Sequence, residues 1–265
     1  NDRTARLYSD VGYLTRDEDL GADASAFFSS ITGYSVPQPY LKLEAAPTGL
    51  RKKLLDLIEG ETRRCQQGQR ALIMAKMNSL VDPQLIALLY RASQAGVRIQ
   101  LNVRGICCLR PGVPGLSENI SVVSIVDRFL EHSRIFYFHQ GGEPRVFISS
   151  ADWMPRNLDR RIELLVPVED AACRRKLIAM LRVYFADNVK SRRLRPDGAY
   201  ERPAPARRPQ RSQELLYRQA CAAAKEARQV RRLTFEPHRP QKHAAPRPKR
   251  PSRAGAAPRP PSATP

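Results

Sequence analysis

The stretch from Ala71 to Val103 restricts the fold more than any other part of the chain. Ala71-Leu72-Ile73-Met74-Ala75 is a short apolar run suited to a strand buried on both faces. Asp82-Pro83 then opens a helix, with an N-cap carboxylate followed by proline at the first helical position, where the missing N–H does no harm. Leu85, Leu88, Leu89 and Ala92 recur at helical spacing, and Gly96 closes the element. Val97 to Val103 alternates between apolar and polar residues, which predicts a strand with one polar face. Strand, helix and strand with short Gly and Pro joints imply parallel pairing through a right-handed crossover. An α/β architecture follows.

The flanking sequence extends that unit. Pro47-Thr48-Gly49 precedes a helix marked by Leu50, Leu54, Leu55, Leu57 and Ile58 and stopped by Gly68. Further strands are expected at Val122–Ile125, Ile135–Phe138, Val146–Ile148 and Ile162–Val166. A helix is expected from about Ala171 to Asn188, striped by Leu177, Met180, Leu181 and Phe185. Residues 40–189 therefore read as one α/β domain with a mixed sheet flanked by helices. Residues 1–39 carry one short helix, around Ala22–Phe28, ended by Gly33 and then punctuated by Pro37 and Pro39. So short a piece cannot hold its own core.

Charge divides the chain unevenly. Lys190 to Pro265 holds 20 basic and 5 acidic residues and 13 of the 22 prolines, whereas Asn1 to Val189 holds 25 basic and 21 acidic residues. The segment 190–265 is thus expected to be a basic, Pro/Arg-rich tail, mostly disordered, with one basic amphipathic helix from Gln213 to about Leu233. Such a tail would attract polyanions without specificity. No apolar run reaches the ~18 residues of a spanning helix. The N-terminus, Asn1-Asp2-Arg3-Thr4, has neither an initiator Met nor an apolar signal core and reads as cut from a longer chain. The five cysteines include only one close pair, Cys107-Cys108, whose adjacency does not suit zinc, and a reducing cytoplasm is the expected compartment.

Chemistry in such a sheet gathers at strand ends. Arg104 follows Val103 and offers a planar fork of donors suited to phosphate, although on position alone a surface pairing with a carboxylate is the favoured explanation. His132 and Arg134 are two apart at the entry to a strand and so share a face. Across a Gly141-Gly142 hairpin, Ser149-Ser150-Ala151-Asp152 could set hydroxyls against that imidazole. The cluster could take up a proton or attack phosphorus near neutral pH. Lys76 and Asn78 either line the same crevice or cap it, and Trp153 reads as packing. No Walker or Rossmann glycine motif occurs.

Longer strings carry a resemblance. Ala75-Lys76-Met77-Asn78-Ser79-Leu80-Val81-Asp82, Val103-Arg104-Gly105-Ile106-Cys107-Cys108-Leu109, Ser117-Glu118-Asn119-Ile120, Ser124 to His132 and Ser149 to Leu158 resemble the C-terminal region of bacterial polyphosphate kinases. Thr4-Ala5-Arg6-Leu7-Tyr8-Ser9-Asp10 resembles the segment after that family's first active-site motif, which implies that residues 1–39 are the end of a preceding phospholipase-D-like domain. The resemblance implies a phospholipase-D-like fold and reversible transfer of the terminal phosphate of ATP to inorganic polyphosphate through a phosphohistidine, with Mg2+ present. It implies that Tyr8, Arg104 and His132 contact nucleotide, with His132 in an acid/base role, and that the complete enzyme is a homo-oligomer. His132-Ser133-Arg134 has Arg where phospholipase-D-like motifs have Lys, which keeps the charge. The phosphorylated histidine and the magnesium-contacting residues would lie before Asn1, so this chain alone is expected to be inactive. The competing readings are a polyanion-binding module driven by the tail and a phospholipase-D-like phosphodiesterase.

Overall fold

The computed structural model describes residues 1–33, 39–204 and 207–230. In chain order these form α1 (Asp2–Ala5), β1 (Tyr8–Ser9), α2 (Glu18–Ile31), β2 (Glu44–Ala46), α3 (Leu50–Gln66), β3 (Leu72–Met77), α4 (Pro83–Gln94), β4 (Arg98–Val103), β5 (Ile120–Ile125), β6 (Leu130–Glu131), β7 (Arg134–Phe138), β8 (Arg145–Ser149), β9 (Glu163–Pro167), α5 (Ala171–Phe185), β10 (Ser191–Leu194), β11 (Tyr200–Glu201) and α6 (Ser212–Val230). The caps match local chemistry. Asp82 Oδ1 accepts the Leu85 N–H at 3.0 Å with Pro83 opening α4, and Asp170 caps α5 through the Cys173 N–H at 2.7 Å. Gly68 and Gly96, which follow α3 and α4, both adopt positive φ, the left-handed conformation that glycine takes without strain.

Nine strands form one sheet in the order β11-β10-β5-β4-β3-β7-β8-β9-β2. β3, β4 and β5 run parallel, with Leu72 opposite Arg98 and Met77 opposite Val103. On its other side β3 pairs antiparallel with β7, Lys76 opposite Ile135. The expected mixed sheet is therefore observed, and it changes sense at the β3–β7 seam. Period-two alternation divides the core. Ile73, Ala75 and Met77 of β3 join the cluster packed under α3 and α4, whereas Met74 joins Ile135, Tyr137, Leu177 and Leu181 beneath α5. The polar side chains of β4 do not all meet water: Asn102 is buried.

Two boundaries drawn from composition do not follow the packing. One compact unit runs from Asn1 to Ala222, across both position 39 and position 189. At the first, Asp23 of α2 is buried and accepts the N–H groups of Leu41, Lys42 and Leu43 at 2.7, 2.7 and 2.8 Å. At the second, the expected disordered tail is in fact ordered over its first part. β10 extends the sheet antiparallel to β5, with Ser191 opposite Ile125, and β11 pairs with β10. Arg192 and Arg193 remain exposed while Ser191 and Leu194 are buried. The reason is that a sheet edge is extended through backbone groups, which a count of charged side chains does not see. The expected end of the helix at Leu233 and the Pro246–Pro265 stretch lie outside the described residues. Among the described residues no helix is long and apolar enough to cross a membrane.

Asp187 is the joint of this C-terminal extension. Its Oδ1 accepts N–H groups of Val189, Lys190 and Ser191 at 3.0, 2.7 and 3.1 Å, and its Oδ2 accepts both the N–H and the hydroxyl of Ser212 at 2.7 Å. Burial alone would raise the pKa of this carboxyl, but the Ser212 hydroxyl and the surrounding N–H groups outweigh it and hold the pKa below the usual range. The stability so gained is present above the unfolded pKa of about 3.9 and is lost as pH falls through the lower folded value. Asp187→Asn should therefore lower the melting temperature at pH 7 and narrow the gap between melts at pH 7 and pH 3. An unchanged gap in thermal melts would show that the joint contributes nothing.

Candidate functional site

Strand direction brings the site together. The parallel strands β3 and β4 end at one edge of the sheet; antiparallel β7 begins there and β8 ends there. Asn78 follows β3, Arg104 follows β4, Arg134 opens β7, and Asp152 lies just past β8. Four segments far apart in sequence thus deliver polar side chains to one place.

Asp152 is the anchor. Its Oδ1 accepts the Asn78 N–H at 2.7 Å, the Asn78 side-chain amide at 3.2 Å and Arg134 Nε at 3.1 Å, and its Oδ2 accepts Arg134 Nη2 at 3.2 Å. The Asn78 oxygen then accepts Arg104 Nε at 2.7 Å. Arg104 is thereby aimed by an amide rather than neutralised by a carboxylate, and its terminal Nη groups bond to no described residue. Gly105 makes this approach possible: a Cβ there would come within 2.8 Å of the Asn78 carbonyl oxygen.

The N-terminal segment completes the arrangement. β1 pairs parallel with β6, Tyr8 opposite Leu130 and Ser9 opposite Glu131. The His132 N–H donates to the Ser9 carbonyl at 3.1 Å. This pairing sets the Tyr8 ring edge-on to the His132 imidazole, with centroids 4.9 Å apart, and places Asp10 Oδ2 2.8 Å from His132 Nδ1. On the opposite side of the ring, Arg134 Nη1 lies 3.1 Å from His132 Nε2 and also donates to the His132 carbonyl at 3.1 Å. A guanidinium has donors and no acceptor, so Nε2 must present its lone pair and the ring proton resides on Nδ1, facing Asp10. The result is an imidazole oriented by a carboxylate, partly open to solvent, against the Arg134 guanidinium, with Arg104 linked to the same cluster through Asn78.

The sequence expectations divide accordingly. His132, Arg134 and Tyr8 meet directly, and Arg104 joins them through Asn78. Ser149 and Ser150 do not join. The Ser149 hydroxyl donates to the Leu164 carbonyl at 2.7 Å, and the Ser150 hydroxyl accepts the Leu164 N–H at 3.0 Å, so both hydroxyls stitch β8 to β9 instead of facing the imidazole. Trp153 is fully buried against Phe136, as its packing role requires. Reading residues along the chain missed Asp10, whose contribution depends on a parallel pairing across more than a hundred residues. The anchoring role of Asp152 was missed for the same reason.

Among the described residues no group of three or more His, Cys, Asp or Glu side chains converges as a metal cage. The site carboxylates Asp10 and Asp152 already pair with His132 and Arg134. The donor set present does not fit a magnesium ion held by this chain.

The family model for polyphosphate kinase C-terminal domain 2 matches residues 43–213. The chain belongs to that polyphosphate kinase family. The chain is 58% identical over 242 residues to a polyphosphate kinase of Rhodopirellula baltica, covering 91% of this chain and 28% of the relative. It is 50% identical over 233 residues to that of Synechocystis sp., covering 87% and 32% respectively. The crystal structure of the polyphosphate kinase of Porphyromonas gingivalis superposes with a TM-score of 0.77 at 40% identity, over 80% of this chain and 33% of that one. The chain thus spans about a third of the length of the polyphosphate kinases it matches. The match ends at Gln213, so this polyphosphate kinase domain reaches past β10 into α6.

Asp152→Ala should leave the largely buried Arg134 guanidinium without its counter-charge, at a cost of about 3–5 kcal/mol. Denaturant unfolding of the chain would check this, and a loss below 1 kcal/mol would mean that solvent replaces the carboxylate freely.

Proposed function

We propose that this chain supplies the nucleotide-facing half of a polyphosphate kinase site, working with a half that lies outside it. The observation that carries the reading is the His132 imidazole held between Asp10 and Arg134, with Arg104 joined to the same cluster through Asn78, in a chain of this family. In the forward reaction a nucleophilic histidine from the other half attacks the terminal phosphorus of ATP. The P–N bond forms as the bond to the ADP oxygen breaks, and ADP departs with that electron pair. A terminal oxygen of polyphosphate then attacks the phosphohistidine, which returns the nitrogen's electron pair and lengthens the polymer by one phosphate.

The residues here act through charge and position. Arg104 offers the paired Nη donors that no described residue takes, and a planar fork of this kind holds two phosphate oxygens at once. Arg134, whose other N–H groups are held by Asp152 and His132, adds positive charge and one remaining Nη2 hydrogen. The catalytic gain comes from donors fixed in advance where charge develops. His132 Nε2, once its lone pair is released from Arg134 Nη1, is the point at which a proton is exchanged with the departing or arriving phosphate oxygen. Asp10 keeps the ring oriented and stabilises it when it carries the second proton. Tyr8 packs against the ring edge and limits its rotation.

In a complete polyphosphate kinase containing this segment, His132→Ala should abolish net transfer in both directions. Arg104→Lys should lower turnover by about one to two powers of ten although the charge is kept, because one charge-assisted bond is worth ~1.5–3 kcal/mol. Ser149→Ala should leave turnover close to wild type, since its hydroxyl serves β9. Steady-state kinetics with ATP and polyphosphate check all three, and wild-type rates for the Lys variant would remove Arg104 from phosphate binding. The 265-residue chain incubated alone with labelled ATP should neither make polyphosphate nor retain label. Robust synthesis by it would overturn the shared-site reading. Binding to long polyanions that falls steeply with salt and ignores His132→Ala would point instead to a tail-driven binding module.

A further inference from the structure

We propose that Gln213, from the C-terminal extension, is a positioning residue for His132, acting through Phe129 and Glu131. This rests on His132 being the residue that exchanges the proton in phosphate transfer. The segment between β5 and β6, residues 126–129, lies outside the ladders of the main sheet, yet it leads directly into the strand that presents His132. Its support comes from residues more than eighty positions downstream. Arg211 Nε and Nη2 bond the two carboxylate oxygens of Asp127 at 2.7 and 2.6 Å. Gln213 is 7% exposed, and both hydrogens and the oxygen of its amide bond to Phe129 and Glu131. Its oxygen accepts the Phe129 N–H at 2.9 Å, and its Nε2 donates to the Phe129 carbonyl at 2.8 Å and to Glu131 Oε1 at 2.7 Å.

Glu131 carries the constraint to the imidazole. Its other oxygen lies 3.2 Å from Nζ of Lys76, which is 1% exposed and donates to the carbonyl and hydroxyl of Ser133, each at 2.9 Å. The residues on both sides of His132 are therefore tied to one buried ammonium, and Gln213 holds the outer face of that tie. A glutamine whose every polar atom is used on one loop, and whose loop ends on the imidazole, is suited to fix a ring position. An error of about 1 Å in such a position can reduce rate a hundredfold.

Gln213→Met keeps the volume and removes all three bonds, and Gln213→Asn retracts the amide by one methylene and serves if the first variant fails to fold. In the 265-residue chain, hydrogen exchange at the Phe129 amide should accelerate at least about tenfold, the effect of losing one hydrogen bond, while β3 and β4 amides stay protected. In the complete enzyme kcat should fall about tenfold with KM for ATP within about twofold, because the ring is displaced and the Arg104 contact is not. Gln219→Met, on an exposed face of α6, is the matched control and should change neither readout. Wild-type kcat in a folded Gln213 variant overturns the proposal, whether or not exchange accelerates. Full turnover by His132→Ala would instead sink the reading of His132, which the Gln213 variants do not decide.

Discussion

The ion pair between Asp152 and Arg134 is the interaction on which the site depends. It joins the segment after β8 to the start of β7, and through the same carboxylate it fixes the turn after β3 by way of Asn78. Asn78 then aims Arg104, and Arg134 sets the lone pair of His132. Asn78, Arg134, Arg104 and His132 are each one or two hydrogen bonds from this carboxylate, and Asp10 follows through His132. A largely buried pair of this kind is weak evidence for stability, since desolvation offsets much of the attraction. Its role here is geometric: it holds Arg134 directly and Arg104 through Asn78 at one sheet edge, and of the two only Arg104 has no carboxylate partner among the described residues.

A second buried charge system lies under the first. Burial lowers the pKa of Lys76, with the neighbouring Glu131 pulling the other way, and burial raises that of the Tyr184 hydroxyl, whose ring lies 5.0 Å from the ammonium. The ammonium is retained because it satisfies the Ser133 carbonyl and hydroxyl in a place where no backbone ladder does. An apolar residue at position 76 would leave the Ser133 groups without their donor and Glu131 without its counter-charge. The polar layer between α5 and the sheet thus serves the loop above it.

The C-terminal extension shows how far composition can mislead. Thirteen prolines and a net excess of arginine describe residues 190–265 as a whole. Within them, Ser191 to Leu194 adds a strand and residues 211–213 grip the His132 loop. Neither feature needs an apolar stripe, since one uses backbone groups and the other uses one arginine and one glutamine. Average charge carries no trace of either.

Local signals determined most of the architecture. The apolar runs, the Asp82-Pro83 start, the glycine stops and the spacing of Leu177 and Leu181 are properties of neighbouring residues, and they were legible as an α/β sheet with helices. The pairing of His132 with Arg134 was legible too, because two residues apart on a strand share a face. Tertiary structure alone decided that Ser149 and Ser150 bind β9, that Asp10 meets His132, that Asp152 anchors Asn78, and that Gln213 reaches Phe129. The first three depend on which strands become neighbours and in which sense they run, and the last on where α6 starts against the segment before β6. Sheet pairing is set by the whole chain's packing, so no window of sequence contains it.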